Sequence, residues 1–137
     1  MNFRQVTELT PEQVHELGAL YGQAWWTQGR TLDDIEAMLK HSDYIFAAVE
    51  KSTGALGGFA RVLTDRIYKA FIFDMIVVPD HRGCGLGGQL MDWIVGHPDL
   101  QRVKHFELYC LPEMFSFYAT WGFSADVQGI QLMRRAR

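Results

Sequence analysis

The sequence predicts an α+β fold: a mixed β-sheet, mostly antiparallel with one splayed parallel pair, flanked by helices. Three observations carry this. Strand-like segments at 44–49, 55–63 and 68–78 follow one another through short turns, which implies antiparallel pairing. A strand, a glycine-rich loop, a helix and a further strand span 68–111, and such a crossover unit implies a parallel pair. Two helical stripes lie between a first strand and the hairpin, so helices and strands do not alternate as in a doubly wound sheet.

Taken in order, Phe3 to Leu9 alternates weakly and reads as a first strand. Thr10 followed by Pro11 is a helix start, a hydroxyl cap before a proline at the first helical position. Val14, Leu17, Leu20 and Tyr21 carry the apolar stripe of that helix to about Ala24. Thr31 opens a second helix with Asp33 and Asp34 in its first turn and Leu32, Ile35, Met38 and Leu39 on its apolar face. Tyr44 to Val49 and Ala55 to Leu63 form a hairpin around Lys51-Ser52-Thr53-Gly54. Asp65 and Arg66 mark the next turn, and Tyr68 to Val78 is an aromatic, β-branched central strand ended by Pro79. Leu86, Leu90, Trp93 and Ile94 have helical spacing up to Pro98. His105 to Leu111 reads as a strand, Glu113 to Thr120 as a short helix, and Phe123 to Met133 as a last strand.

The 137 residues suit one domain over 1–137, and no Ser/Pro/Gly linker or repeat divides them. Hydrophobic residues at 48% and charged residues at 21% fit a folded globular chain. The net charge of -3 and the lack of a basic block argue against nucleic-acid binding through phosphates. Two cysteines, Cys84 and Cys110, form no disulfide framework, and they make no metal-ligand spacing with the five scattered histidines. The first ten residues lack the apolar run of a signal peptide, and no stretch approaches the roughly 20 residues that span a bilayer. The expectation is a cytoplasmic protein with no membrane, nucleic-acid or metal partner.

The chemistry concentrates in Val77-Val78-Pro79-Asp80-His81-Arg82-Gly83-Cys84-Gly85-Leu86-Gly87-Gly88. A strand ends, glycines let a ligand approach the backbone, and a helix begins whose first N–H groups are free to bind phosphate. Arg82 adds a charged donor. Gly83 to Gly88 also matches GxGxxG, but a dinucleotide site needs that loop after the first strand, and three strands precede it here. No Gly-Lys-Ser/Thr follows, so it is not a P-loop.

Met75-x-Val77-x-Pro79-x-x-Arg82-Gly83-x-Gly85-Leu86-Gly87-x-x-Leu90 resembles the acetyl-CoA motif of the GNAT (Gcn5-related N-acetyltransferase) superfamily. Phe117-Tyr118-Ala119-Thr120-Trp121-Gly122-Phe123 resembles that family's F/L-Y-x-x-x-G-F segment, in the right order and spacing. The resemblance implies an N-acetyltransferase moving acetyl from acetyl-CoA to a primary amine of a small molecule or peptide by direct transfer. A non-catalytic acyl-CoA sensor on the same fold is the alternative. It implies that pantetheine bonds to the backbone of Met75, Ile76 and Val77. The pyrophosphate would take the amides of Arg82, Gly83, Cys84, Gly85, Leu86, Gly87 and Gly88. The N–H near Val77 would polarise the thioester carbonyl. Tyr118 would serve as the proton donor to the departing thiolate, and Leu111 stands where many members carry a polar side chain. The resemblance also allows a homodimer.

Asp74 interrupts the apolar strand AFIFDMIVV, where a carboxylate is costly unless paired, hydrated or facing a cavity. Two readings stay open: it binds or deprotonates the substrate amine, or it is a structural carboxylate bonded to a neighbouring strand or an arginine. Trp25 and Trp26 cannot both face one core stripe, so one is expected at a surface or in the wall of the acceptor pocket.

Overall fold

A computed structural model describes residues 2–137. The elements are β1 (Phe3–Val6), α1 (Pro11–Gln23), α2 (Leu32–His41), β2 (Tyr44–Glu50), β3 (Leu56–Thr64), β4 (Lys69–Val77), α3 (Leu86–Val95), β5 (His105–Glu107) and α4 (Phe115–Ala119). Single 3-10 turns cover Pro79–His81, Pro98–Leu100 and Pro112–Met114. The strands lie in the order β1-β2-β3-β4-β5. The first three pairings are antiparallel and β4–β5 is parallel, as the element order required.

Local chemistry explains the helix starts. Thr10 Oγ1 accepts the Gln13 N–H at 3.2 Å, and Gln13 Oε1 accepts the Thr10 N–H at 3.0 Å, a reciprocal capping box. Thr31 caps α2 through the Asp34 N–H at 3.1 Å. Each face of the sheet has its own core. Leu17, Leu20 and Tyr21 of α1 and Ile35 of α2 bury against Ala47, Val49, Phe59 and Ile76. Leu86, Leu90, Met91 and Ile94 of α3 bury against Phe46, Ala60, Val62, Ala70 and Ile72, with Tyr118 of α4 in the same cluster.

Two irregularities in the sheet shape the site. On β4, Asp74 and Met75 together oppose the single residue Ala60, because Phe59 pairs with Ile76 and Arg61 with Phe73. This is a β-bulge, and Asp74 sits in it at φ 58°, in the left-handed region. The bulge changes which face each later residue meets: Ile72 packs towards α3, whereas Ile76 packs towards α1 and α2. The second irregularity is the shortness of β5. It pairs only through Lys69–His105, Ala70–Phe106 and Phe71–Glu107. The predicted strand to Leu111 therefore stops at Glu107, because β4 and the chain beyond Glu107 diverge and leave 108–111 no ladder to join.

The expected last strand, Phe123 to Met133, does not form. Gln128 and Gly129 both take positive φ, at 59° and 78°, which interrupts extended backbone. Local turns replace the ladder: Asp126 N–H donates to Ser124 Oγ, and Ile130 N–H to the Val127 carbonyl. Ile130 and Met133 are consequently 75% and 92% exposed.

Candidate active site

The glycine loop closes the end of β4 and opens α3. Gly85 occupies the N-cap position at φ 86° with no side chain to cap the helix, and Gly83 has φ 80°. A Cβ at either position meets nothing within 4 Å, so backbone conformation and not crowding selects glycine there. Among the described residues, the N–H groups of Gly83 to Gly88 donate to no acceptor in the chain. They form a run of unpaired donors at the positive end of the α3 dipole, the arrangement that binds phosphate. Leu86 contributes only backbone, since its side chain is in the core. Arg82 Nε donates to the Val77 carbonyl at 3.1 Å, which ties the loop to β4 and leaves the rest of the guanidinium available. The Cys84 thiol donates to the His81 carbonyl, so this side chain braces the loop.

The two sequence motifs meet in space. A Cβ on Gly87 would stand 3.4 Å from Phe117 Cζ, and one on Gly88 3.5 Å from the Trp121 ring. Trp121 Nε1 donates to Asp92 Oδ1 of α3 at 2.8 Å. Phe117 of α4 and Trp121 just after it thus pack on the first turn of α3, beside the phosphate-binding amides.

Beyond Phe71, β4 pairs with no strand on its β5 side, and the Val77 carbonyl accepts from Arg82 Nε. The Ile76 side chain is buried under α1 and α2, and those of Met75 and Val77 are half-buried towards α3, so these residues offer the opening their backbone edge. Tyr118 is buried on the α3 side, its ring edge-on to Phe117 and Phe123. Its hydroxyl has no hydrogen-bond partner in the chain, yet no sealed side-chain polar atom lacks one among the described residues. The oxygen therefore reaches solvent. Burial, and then the neighbouring Cys110, push the phenol up to about 12, so it stays protonated.

Asp74 is held by three partners. Its Oδ2 accepts from Arg30 Nη1 at 2.8 Å, Arg61 Nε at 2.8 Å and the Tyr21 hydroxyl at 3.1 Å. Its Oδ1 accepts from Arg30 Nη2 at 3.3 Å. Burial by itself would raise this carboxyl, but the hydrogen bonds and charges of Arg30 and Arg61 outweigh it and hold the group below the usual carboxylate range. Such an anion is a weak base, and both of its oxygens already accept from the arginines, Oδ2 from Tyr21 as well. The arrangement is that of the structural carboxylate, bonded to both a neighbouring strand and an arginine. Arg30 also stacks over the Tyr21 ring at 4.6 Å, and Arg61 over Phe73 at 5.0 Å. No spacing or motif marks Tyr21 and Arg30 as converging on Asp74. The one available signal was the carboxylate itself, since a charge within an apolar strand demands a cation.

Trp25 and Trp26 lie in the turn after α1, 72% and 44% exposed. Both thus face outward. Two depressions, one of about 490 Å³ lined by Gln5, Glu8, Lys40, Tyr44 and His97, lie at the end of the sheet where β2 begins. They share no residue with the glycine loop. Among the described residues no group of three His, Cys, Asp or Glu side chains is placed to hold a metal, and no helix is long and apolar enough to cross a membrane.

The family model for the acetyltransferase (GNAT) domain matches residues 41–125, more than half of the chain. The chain belongs to the GNAT acetyltransferases. Its relatives include the uncharacterized N-acetyltransferase ycf52 of Porphyra purpurea, 32% identical over 122 residues, covering 88% of this chain and 70% of that protein. The GCN5-related N-acetyltransferase 1, chloroplastic, of Arabidopsis thaliana is 31% identical over 131 residues, covering 95% of this chain but 64% of its own length. A GNAT-family protein of Xanthomonas campestris pv. campestris superposes with a TM-score of 0.84 at 28% identity, over 100% of this chain and 94% of the other. The match to this GNAT structure extends through the splayed β4–β5 pair. The relatives lend no support to a cytoplasmic location, since the Arabidopsis protein is chloroplastic by name.

Proposed function

We propose that this GNAT domain transfers the acetyl group of acetyl-CoA directly to a primary amine of a small molecule or peptide. The observation that carries the reading is that the run of unpaired amides from Gly83 to Gly88 ends beside Phe117, on the helix bearing Tyr118. The loop amides and Arg82 suit the pyrophosphate of CoA, and the edge of Met75 to Val77 suits its pantetheine amides, strand to strand.

In the transfer, the lone pair of a neutral amine attacks the thioester carbonyl carbon. The carbonyl oxygen gains charge and is met by the backbone N–H near Val77. The C–S bond then breaks and the sulfur leaves with the electron pair. The Tyr118 hydroxyl donates a hydrogen bond to that sulfur, the amine releases its proton to solvent, and the thiolate takes a proton from solvent to leave as CoA thiol. Because the phenol is held at about 12, well above a thiol, its part is to stabilise charge on sulfur as a donor that never ionises.

The test is thiol release from acetyl-CoA over a panel of amines, with wild type and Tyr118→Phe. Tyr118→Phe should lower kcat about 100-fold and leave acetyl-CoA affinity within about twofold. An unchanged kcat would remove the role. Acetyl-CoA binding with no thiol release against any amine would replace the enzyme by the acyl-CoA sensor.

A further inference from the structure

Resting on the acetyltransferase reading, we infer that the amine acceptor carries an anionic group, a carboxylate or a phosphate, which docks on Arg61 and Arg30. Two guanidinium groups surround a single carboxylate, Asp74, so the cluster keeps one positive charge. The Tyr21 hydroxyl adds none, because burial and then the Asp74 charge push its pKa upward and keep it neutral.

The free donors are concentrated on one residue. Arg61 uses only Nε on Asp74; Nη1 and Nη2 donate to nothing among the described residues. Those two nitrogens present the planar edge that pairs with two oxygens of one anion. The Arg61 side chain is 15% exposed and that of Arg30 30%, so the pair is shielded yet reachable. The Nε bond to Asp74 and the stacking of the guanidinium on Phe73 hold it in place.

The position fits an acceptor site. Phe73 meets both the Arg61 guanidinium, 5.0 Å over its ring, and the Tyr109 ring, 6.0 Å away edge-on, and Tyr109 follows β5 at the point where the parallel pair splits. Phe71 stacks on Phe73, extending the aromatic floor. An anion bound here would leave the rest of a short acceptor directed at the split. No free carboxylate of the cluster remains to attract an ammonium.

Matched acceptors test this. Glycine and glycinamide differ by one carboxylate, and phosphoethanolamine and ethanolamine by one phosphate. Wild type should favour the anionic member of at least one pair by about tenfold or more in kcat/KM, mainly through KM. Arg61→Gln should bring the pair within about twofold, and raising salt should shrink the wild-type preference. A binding arm does not depend on turnover: titration of N-acetylglycine against N-acetylglycinamide, and of N-acetyl phosphoethanolamine against N-acetylethanolamine, into the CoA-loaded protein. If Arg61→Gln fails to fold, salt dependence and the wild-type binding arm decide. Equal binding and equal turnover within every pair would overturn the anion site while leaving the acetyltransferase intact. Selective anion binding without thiol release from any amine would support the anion site and remove the enzyme reading.

Discussion

Asp74→Asn isolates the charge at the centre of the cluster. Asparagine keeps the volume and tolerates the left-handed conformation at φ 58°, so backbone strain is little changed. What changes is that Arg30 and Arg61 lose their common anion. Removing one partner of a buried ion pair typically costs about 3–5 kcal/mol. Arg30 is 30% exposed on its side chain and can turn to water, whereas Arg61 at 15% has less freedom. The expected loss therefore falls to or below the bottom of that range, about 2–3 kcal/mol. For a chain of this size that is a fall in Tm of roughly 6–10 °C. Urea denaturation and thermal melts at pH 7 read it directly. The pH dependence has a definite sign. The folded carboxyl is held below its unfolded value, so its contribution is present above the unfolded pKa and is lost as pH falls through the folded one. Asp74→Asn should thus flatten the acid limb of the wild-type stability profile. A variant within about 0.5 kcal/mol of wild type, an ordinary surface effect, with the same acid limb would refute the structural assignment. If the same variant lost kcat at pH values where wild-type Asp74 is ionised, with acetyl-CoA affinity intact, Asp74 would return as the base.

Gly85→Ala should weaken acetyl-CoA binding more than it weakens the fold: a side chain at φ 86° costs about 1–2 kcal/mol, yet it meets no neighbour. Calorimetric titration beside a urea melt separates the two. Gly87→Val should be worse on both counts, since even a Cβ stands 3.4 Å from Phe117; an unaltered melt would deny the α3–α4 contact its structural part. Ile130→Lys, at a side chain 75% exposed in the unpaired tail, should change stability by less than about 0.5 kcal/mol. A larger loss in the urea melt would mean that the tail packs after all.

The parts of the fold legible in the sequence were those governed by local chemistry. Thr10-Pro11 and Thr31 marked helix starts because caps act within one turn. Gly83 and Gly85 marked the loop because only glycine takes their φ cheaply. The misses arose where tertiary geometry overrode pattern. His105 to Leu111 alternates like a strand throughout, but pairing ends at Glu107 when β4 diverges. Ile130 to Met133 has strand-like residues, but Gln128-Gly129 turns the chain. Asp74 was visible as an anomaly, and its solution was not, because Arg30 and Arg61 lie 44 and 13 residues away in sequence.

On the proposed function, the Gly83 to Gly88 amides and the edge of β4 together hold acetyl-CoA. Amide chemical shifts of the isotope-labelled protein during titration with acetyl-CoA read this residue by residue. The largest shifts should fall on Gly83 to Gly88 and Met75 to Val77, with neither NAD nor ATP reproducing the pattern on β4. Shifts centred elsewhere, or the same pattern with NAD, would contradict it.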